Sequence, residues 1–174
     1  MSALDLIETD RLVLSGWRRD QIEDLVRLHG DPIVARYLGA DGLPWSRAAM
    51  EAALDEWIKL FETRRLGKLR VTRKADGMMV GRAGYGIYAR TGEPEIGYSL
   101  YPEFWGNGYA FEAAAGLRDW IFRETDASHF IGMADVDNAA SLKVLDKIGM
   151  LRTHVGAYDD GRIFQFFLMR RAVG

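Results

Sequence analysis

Apolar residues recur along this chain with two different periods, and the switches between them mark out its elements. Residues 11–17 (RLVLSGW) alternate and predict a first strand. Residues 20–29 place Ile22, Leu25, Val26 and His29 at helical spacing, and Asp31-Pro32 then stops regular structure with a turn. Ser46 is an N-cap for a helix over residues 47–64, whose apolar stripe is Met50, Ala53, Leu54, Trp57, Ile58 and Phe61. Between these helices lies a glycine- and proline-bearing loop, 37–45 (YLGADGLPW), with aromatic ends. Period two then returns. Residues 68–74, 79–88 and 95–101 predict an antiparallel meander, with turns at Asp76-Gly77 and Thr91-Gly92. Residues 109–124 predict a helix with Ala110, Ala113, Ala114, Leu117 and Ile121 on one face, small enough to lie close on a sheet. A short strand follows at 128–135. A helix at 139–148 has Leu142, Leu145 and Ile148 inward, Asn138 as its N-cap and Gly149 as its stop. Residues 150–158 and 162–169 close the chain as a hairpin turned at Asp159-Asp160-Gly161.

The picture is one mixed α/β (α+β) domain over 1–174, with a mostly antiparallel sheet of about seven strands flanked by helices. The 174 residues suffice for a domain that buries about 70% of its unfolded surface. The net charge of −2 offers no general attraction to nucleic acid or to an anionic membrane. No apolar run approaches the ~18 residues of a membrane helix, and the start, MSALDLIETD, lacks the basic and apolar regions of a signal peptide. A cytoplasmic protein is expected. Without cysteine there is no thiolate nucleophile and no Cys-based metal site. His29, His129 and His154 are isolated and suggest no metal pair, so each is read as a surface or packed imidazole.

Chemistry concentrates where the third meander strand gives way to a helix, in EIGYSLYPEFWGNGYAFE. Two glycines ahead of a helix start leave backbone N–H groups free to converge. The helix end adds roughly half a positive charge, which makes an anion site suited to phosphate. The run Trp105-Gly106-Asn107-Gly108-Tyr109-Ala110 resembles the pyrophosphate loop of the GNAT acetyltransferase superfamily. Trp105 at its head and Phe111-Glu112-Ala113 after it look like the RimJ/RimL branch. A second run, Val136 to Leu142 followed by Lys147-Ile148-Gly149-Met150, resembles the acyl-CoA-binding second half of that superfamily. The order and ~30-residue spacing of the two runs make the resemblance much more specific than either alone. Asp10-Arg11-Leu12 and Gly81-Arg82-Ala83-Gly84 extend it over nearly the whole chain.

The resemblance implies direct transfer of an acetyl group from acetyl-CoA to a primary amine, on a protein N-terminus or a small molecule. It implies backbone N–H groups from Gly106, Asn107, Gly108, Tyr109, Ala110 and Phe111 on the pyrophosphate. It also implies contacts of the pantetheine arm with Tyr98, Ser99 and Leu100 on a strand that splays from its neighbour. Asn138 would cap its helix and hydrogen-bond toward the pantetheine, and Ser141 would protonate the departing sulfur. Neutralising a peptide α-amine at pH 7 costs about 1 kcal/mol, against about 4.6 kcal/mol for a lysine amine. The first needs only a water path, while the second needs a base.

Glu95 is the first candidate base and Asp135 the second. A base found in some relatives falls here on Met133. Glu112 is expected to complement the helix dipole. Arg47, Arg64 and Arg65 read as a solvated helix face, and Tyr158-Asp159 as a border of the acceptor cleft together with loop 37–45. The alternative is an acyl-CoA-binding sensor or scaffold without turnover. A dinucleotide-binding oxidoreductase is set aside, because the loop lacks the third small residue and the later acidic residue of that fingerprint. A homodimer through 163–169 is left open.

Overall fold

The computed structural model describes residues 4–38, 41–158 and 161–172. Its strands are β1 (Asp5–Glu8), β2 (Leu12–Ser15), β3 (Gly67–Arg73), β4 (Met79–Ile87), β5 (Pro94–Leu100), β6 (His129–Asp135), β7 (Leu151–Ala157) and β8 (Ile163–Arg170). Its helices are α1 (Ile22–His29), α2 (Pro32–Ala35), α3 (Arg47–Arg64), α4 (Tyr109–Glu124) and α5 (Ala139–Lys147). Among the described residues no helix is long and apolar enough to cross a membrane.

The strands form one eight-stranded sheet in the order β1-β2-β3-β4-β5-β6-β8-β7. Every pairing is antiparallel except β5 with β6. The strand β1 extends the expected set; four residues are too few for alternation to declare itself, and it forms by pairing with β2. The turn expected at Asp31-Pro32 is a helix start instead. Asp31 accepts from the Ile33 N–H at 2.8 Å, and proline at the first position needs no N–H donor.

The helices cover both faces of the sheet. On one face α3 buries Met50, Leu54, Trp57 and Phe61, with Ser46 accepting from the Ala49 N–H as the expected cap. On the other, α4 buries Ala113, Ala114, Leu117, Trp120 and Ile121. Full burial of one Leu or Ile is worth roughly 1.5–3 kcal/mol, so this stripe alone anchors α4. The α4 start is thereby held at the C-terminal end of β5.

The parallel pairing of β5 with β6 is short. Register is held only at Glu95↔Ile131 and Ile96↔Gly132. Beyond Ile96 the strands part, and Gly97 to Leu100 run toward α4 with no register partner on β6.

Candidate active site

The loop between β5 and α4 has the backbone that its glycines foretell. Gly106 and Gly108 take φ of 76° and 79°, a left-handed conformation that side chains other than glycine adopt only with strain. A Cβ on Gly106 would meet nothing within 4 Å, so the loop is open on that side. Gly108 is the N-cap of α4 and uses no side chain there, which leaves the first-turn N–H groups to a ligand.

Several contacts brace this cradle. The Trp105 indole donates to the Leu100 carbonyl at 2.9 Å, tying the loop to the free end of β5. The Asn107 amide donates to the Phe104 and Trp105 carbonyls. Arg11 donates to the Asn107 carbonyl at 3.0 Å and to Glu112 at 2.6 Å. Glu112 also accepts from the Thr9 hydroxyl and the Arg11 N–H. Burial pushes the Glu112 carboxyl up, yet these hydrogen bonds outweigh it and hold the group below its ordinary value. Glu112 therefore fastens the β1–β2 turn to α4, a more specific role than dipole complementation. Arg11, quoted above only as part of the resemblance in Asp10-Arg11-Leu12, is a loop-bracing residue.

Asn138 caps α5 as expected, its Oδ1 accepting from the Ser141 N–H at 3.2 Å. The Ser141 hydroxyl lies 3.1 Å from the Tyr98 hydroxyl, which also donates to the Ser141 carbonyl at 3.0 Å. Burial pushes the Tyr98 phenol well above its usual value, with the Ser141 hydrogen bond opposing, so Tyr98 holds its proton. The pair joins β5 to the first turn of α5 across the gap where β5 and β6 part.

Glu95 and Tyr98 are three residues apart on one strand, so their side chains leave opposite faces. Glu95 is not a free strand-end carboxylate. Its Oε2 accepts from the Lys68 ammonium at 3.1 Å, and the same ammonium donates to the Glu95 carbonyl at 3.2 Å and the Gly84 carbonyl at 3.3 Å. All three ammonium protons thus have acceptors. Burial pulls the Lys68 amine down from its ordinary value and the Glu95 carboxylate pushes back. Gly97 makes room for the pair, since a Cβ there would stand 2.6 Å from Lys68 Nζ.

Further along this face Arg82, 5% exposed, donates from Nε to His29 Nε2 at 2.9 Å and lies over the Trp57 ring. His29 is wholly buried. Desolvation first, and the Arg82 charge second, lower its pKa to about 2, so it is a neutral acceptor here. His29 is packed, as one of the two expectations for it had it. His129 bonds Glu93 at 2.8 Å, and His154 stacks on Phe166.

The second candidate base, Asp135, accepts from the Asp137 N–H at 2.9 Å and shapes the turn into α5. Tyr158 does border the same face as Glu95. Its hydroxyl lies 3.0 Å from that of Tyr88 and 3.1 Å from Met133 Sδ. The turn residues Asp159 and Asp160 lie outside the described residues, as do Gly39 and Ala40 of the 37–45 loop. Tyr37 at that loop's start reaches the Asp137 carbonyl at 3.4 Å. Arg47 is less free than a solvated face implies, bonding both Glu23 and Glu51.

The parting of β5 from β6, the glycine cradle at the start of α4 and the capped start of α5 together make up the candidate site. Residues 11–151 match the acetyltransferase (GNAT) domain. The chain belongs to the GNAT acetyltransferase family. It is similar to the uncharacterized N-acetyltransferase YoaA of Bacillus subtilis, 26% identical over 151 residues, spanning 86% of this chain and 85% of that one. Its fold is similar to that of an acetyltransferase from Agrobacterium tumefaciens, with a TM-score of 0.83 at 20% identity over 98% of this chain and 97% of that one. It is also similar to the ribosomal-protein alpha-N-acetyltransferase RimL in complex with coenzyme A. There the TM-score is 0.80 at 18% identity, over 95% and 97% of the two chains. The protein is accordingly an acyltransferase of the N-acetyltransferase kind.

Proposed function

We propose that this protein moves an acetyl group from acetyl-CoA to a primary amine held over Glu95, within a ternary complex. The observation that carries the reading is the parting of β5 from β6 after Ile96, directly before the glycine cradle at the start of α4. A pantetheine arm laid along Tyr98, Ser99 and Leu100 finds strand edge there that β6 leaves unpaired, apart from the Leu100 carbonyl that Trp105 holds. Its pyrophosphate then meets the N–H groups of Gly106 to Phe111, with Asn138 on the opposite side. Bound acetyl-CoA supplies an activated thioester.

The chain's own groups handle the protons. Glu95 takes one from the attacking amine as the C–N bond forms, through the carboxylate oxygen that Lys68 does not hold. Ser141 gives one to the sulfur as the C–S bond breaks and is re-protonated from solvent, with the Tyr98 hydroxyl 3.1 Å away holding it in place. Base and acid lie on opposite faces of β5, so the gap between β5 and β6 is where both reach one reacting centre. Similarity to RimL supports an α-amine on a protein as one acceptor class, and the aromatic border of Tyr88 and Tyr158 suits a small amine equally.

The test is thiol release from acetyl-CoA against peptide N-termini, polyamines and aminoglycosides. Release with one class supports the reading and names the acceptor type. No release with any amine, while CoA binds, would return the chain to a non-catalytic acyl-CoA-binding role.

A further inference from the structure

The face of the sheet beneath α1 and α3 buries more positive than negative charge. Lys68 and Arg82 are 8% and 5% exposed, and among the described residues Glu95 is the one carboxylate that offsets either. Lys68 claims it. Among the described residues the single hydrogen bond of Arg82 goes from Nε to the neutral His29, so both Nη groups lack an acceptor. The contrast with Arg70 is direct. Arg70 lies opposite Arg82 in the β3–β4 register, and Asp24 matches it through two nitrogens at 3.1 and 2.8 Å. One arginine of the pair is neutralised and the other is not. A buried cation without a counter-ion costs several kcal/mol, which an arriving anion would recover. The Arg82 Nη atoms are not sealed as His29 Nδ1 and Tyr85 Oη are, so they keep a contact with solvent.

We propose that the Nη edge of Arg82 receives a carboxylate carried by the acceptor, which makes the acceptor an amine with a carboxylate a few bonds away. This rests on the acetyltransferase reading, with the amine at Glu95. The register aligns Glu95 with Gly86 and Ser99 with Arg82, four residues further along. That is about 13 Å of strand, and Glu95 leans along it toward Arg82, its Oε1 3.5 Å from where a Cβ on Gly97 would stand. A guanidinium edge takes a carboxylate through two parallel hydrogen bonds. Polyamines and aminoglycosides bring only further positive charge to a face that already carries an excess.

The experiment uses matched acceptors that differ only in a carboxylate or its carboxamide: β-alanine and β-alaninamide, glutamate and glutamine, and peptides with Asp or Asn at the second position. Thiol release gives kcat/KM for each. The expected result is at least a tenfold preference for the acid in one pair, and which pair shows it separates free amino acids from peptides. Arg82→Gln should bring that ratio to near one while calorimetric CoA affinity holds, and Arg82→Lys should keep part of it. A purely structural role would lower acid and amide together and leave the ratio intact. Equal rates for acid and amide in every wild-type pair overturn the proposal, as does an unchanged ratio in Arg82→Gln, or in Arg82→Lys if the first variant does not fold. If no amine releases thiol, the acetyltransferase reading fails separately. Calorimetric binding of the same pairs to the CoA complex then decides for or against a carboxylate site.

Discussion

Replacing Lys68 by Met tests the charge pair at the centre of the site. Methionine has nearly the length of the lysine stem and fits the channel that Gly97 leaves open, so packing changes little. What is lost is a donor to Glu95 Oε2, the Glu95 carbonyl and the Gly84 carbonyl, at 3.1, 3.2 and 3.3 Å. Breaking a fully buried pair by removing one partner costs roughly 3–5 kcal/mol, because the other charge is left uncompensated. The Glu95 side chain is 23% exposed, and water covers part of its carboxylate once the lysine is gone. Removal of the buried ammonium also cancels its own desolvation cost. The net expectation is therefore about 2 kcal/mol of lost stability, below the fully buried range. Urea unfolding of wild type, Lys68→Met, Glu95→Gln and the double variant measures it, with midpoints compared at unchanged m. The cycle should return a coupling of about 1–2 kcal/mol between the two positions. Thiol release should fall in Lys68→Met with CoA affinity intact, because the ammonium orients Glu95 and touches no part of the cradle. Additive single-variant effects, within about 0.3 kcal/mol, would refute the reasoning and reduce the pair to two independent side chains.

Three further outcomes are expected. Gly108→Glu should abolish CoA binding by calorimetry, because it places a carboxylate in the anion cradle, and its φ of 79° should cost about 1–2 kcal/mol of stability; wild-type affinity would remove the loop from the cofactor site. Ser141→Ala should lower turnover with little change in CoA affinity, since the α5 cap uses the Ser141 N–H and not its hydroxyl; unchanged turnover would return Ser141 to a purely structural place. His29 stays neutral in the folded protein down to about pH 2, whereas the unfolded chain protonates it below 6.5. The unfolded state thus binds more protons in that window, and stability is lost as pH falls through it, by about 2 kcal/mol from pH 6.5 to 5. His29→Gln, whose carbonyl oxygen can accept from Arg82, should flatten that slope in urea titrations at several pH values; an identical slope would show that His29 is not its source.

The local elements of this protein are written in its sequence. The Ser46 and Asn138 caps, the apolar stripes of α3 and α4, and the glycines at 106 and 108 each act within a few residues. Helix α4 and the cradle before it accordingly fall where the pattern puts them. The cradle is a feature of the backbone, and backbone geometry at a glycine is a local property. Strand β1 depended on β2 and α4 to form, so four residues of pattern did not announce it.

The proposed acceptor side is the product of tertiary structure. Alternation in β3 and β4 puts Lys68, Arg70 and Arg82 on one face, and a period of two cannot say whether that face meets water or helices. Docking of α1 and α3 buries it and joins His29 to Arg82 across 53 positions, while the β3-β4-β5 register sets Lys68 against Glu95 across 27. Burial then raises the cost of every unmatched charge. Lys68 thereby holds the candidate base, and Arg82 is left with a guanidinium edge open to an anion.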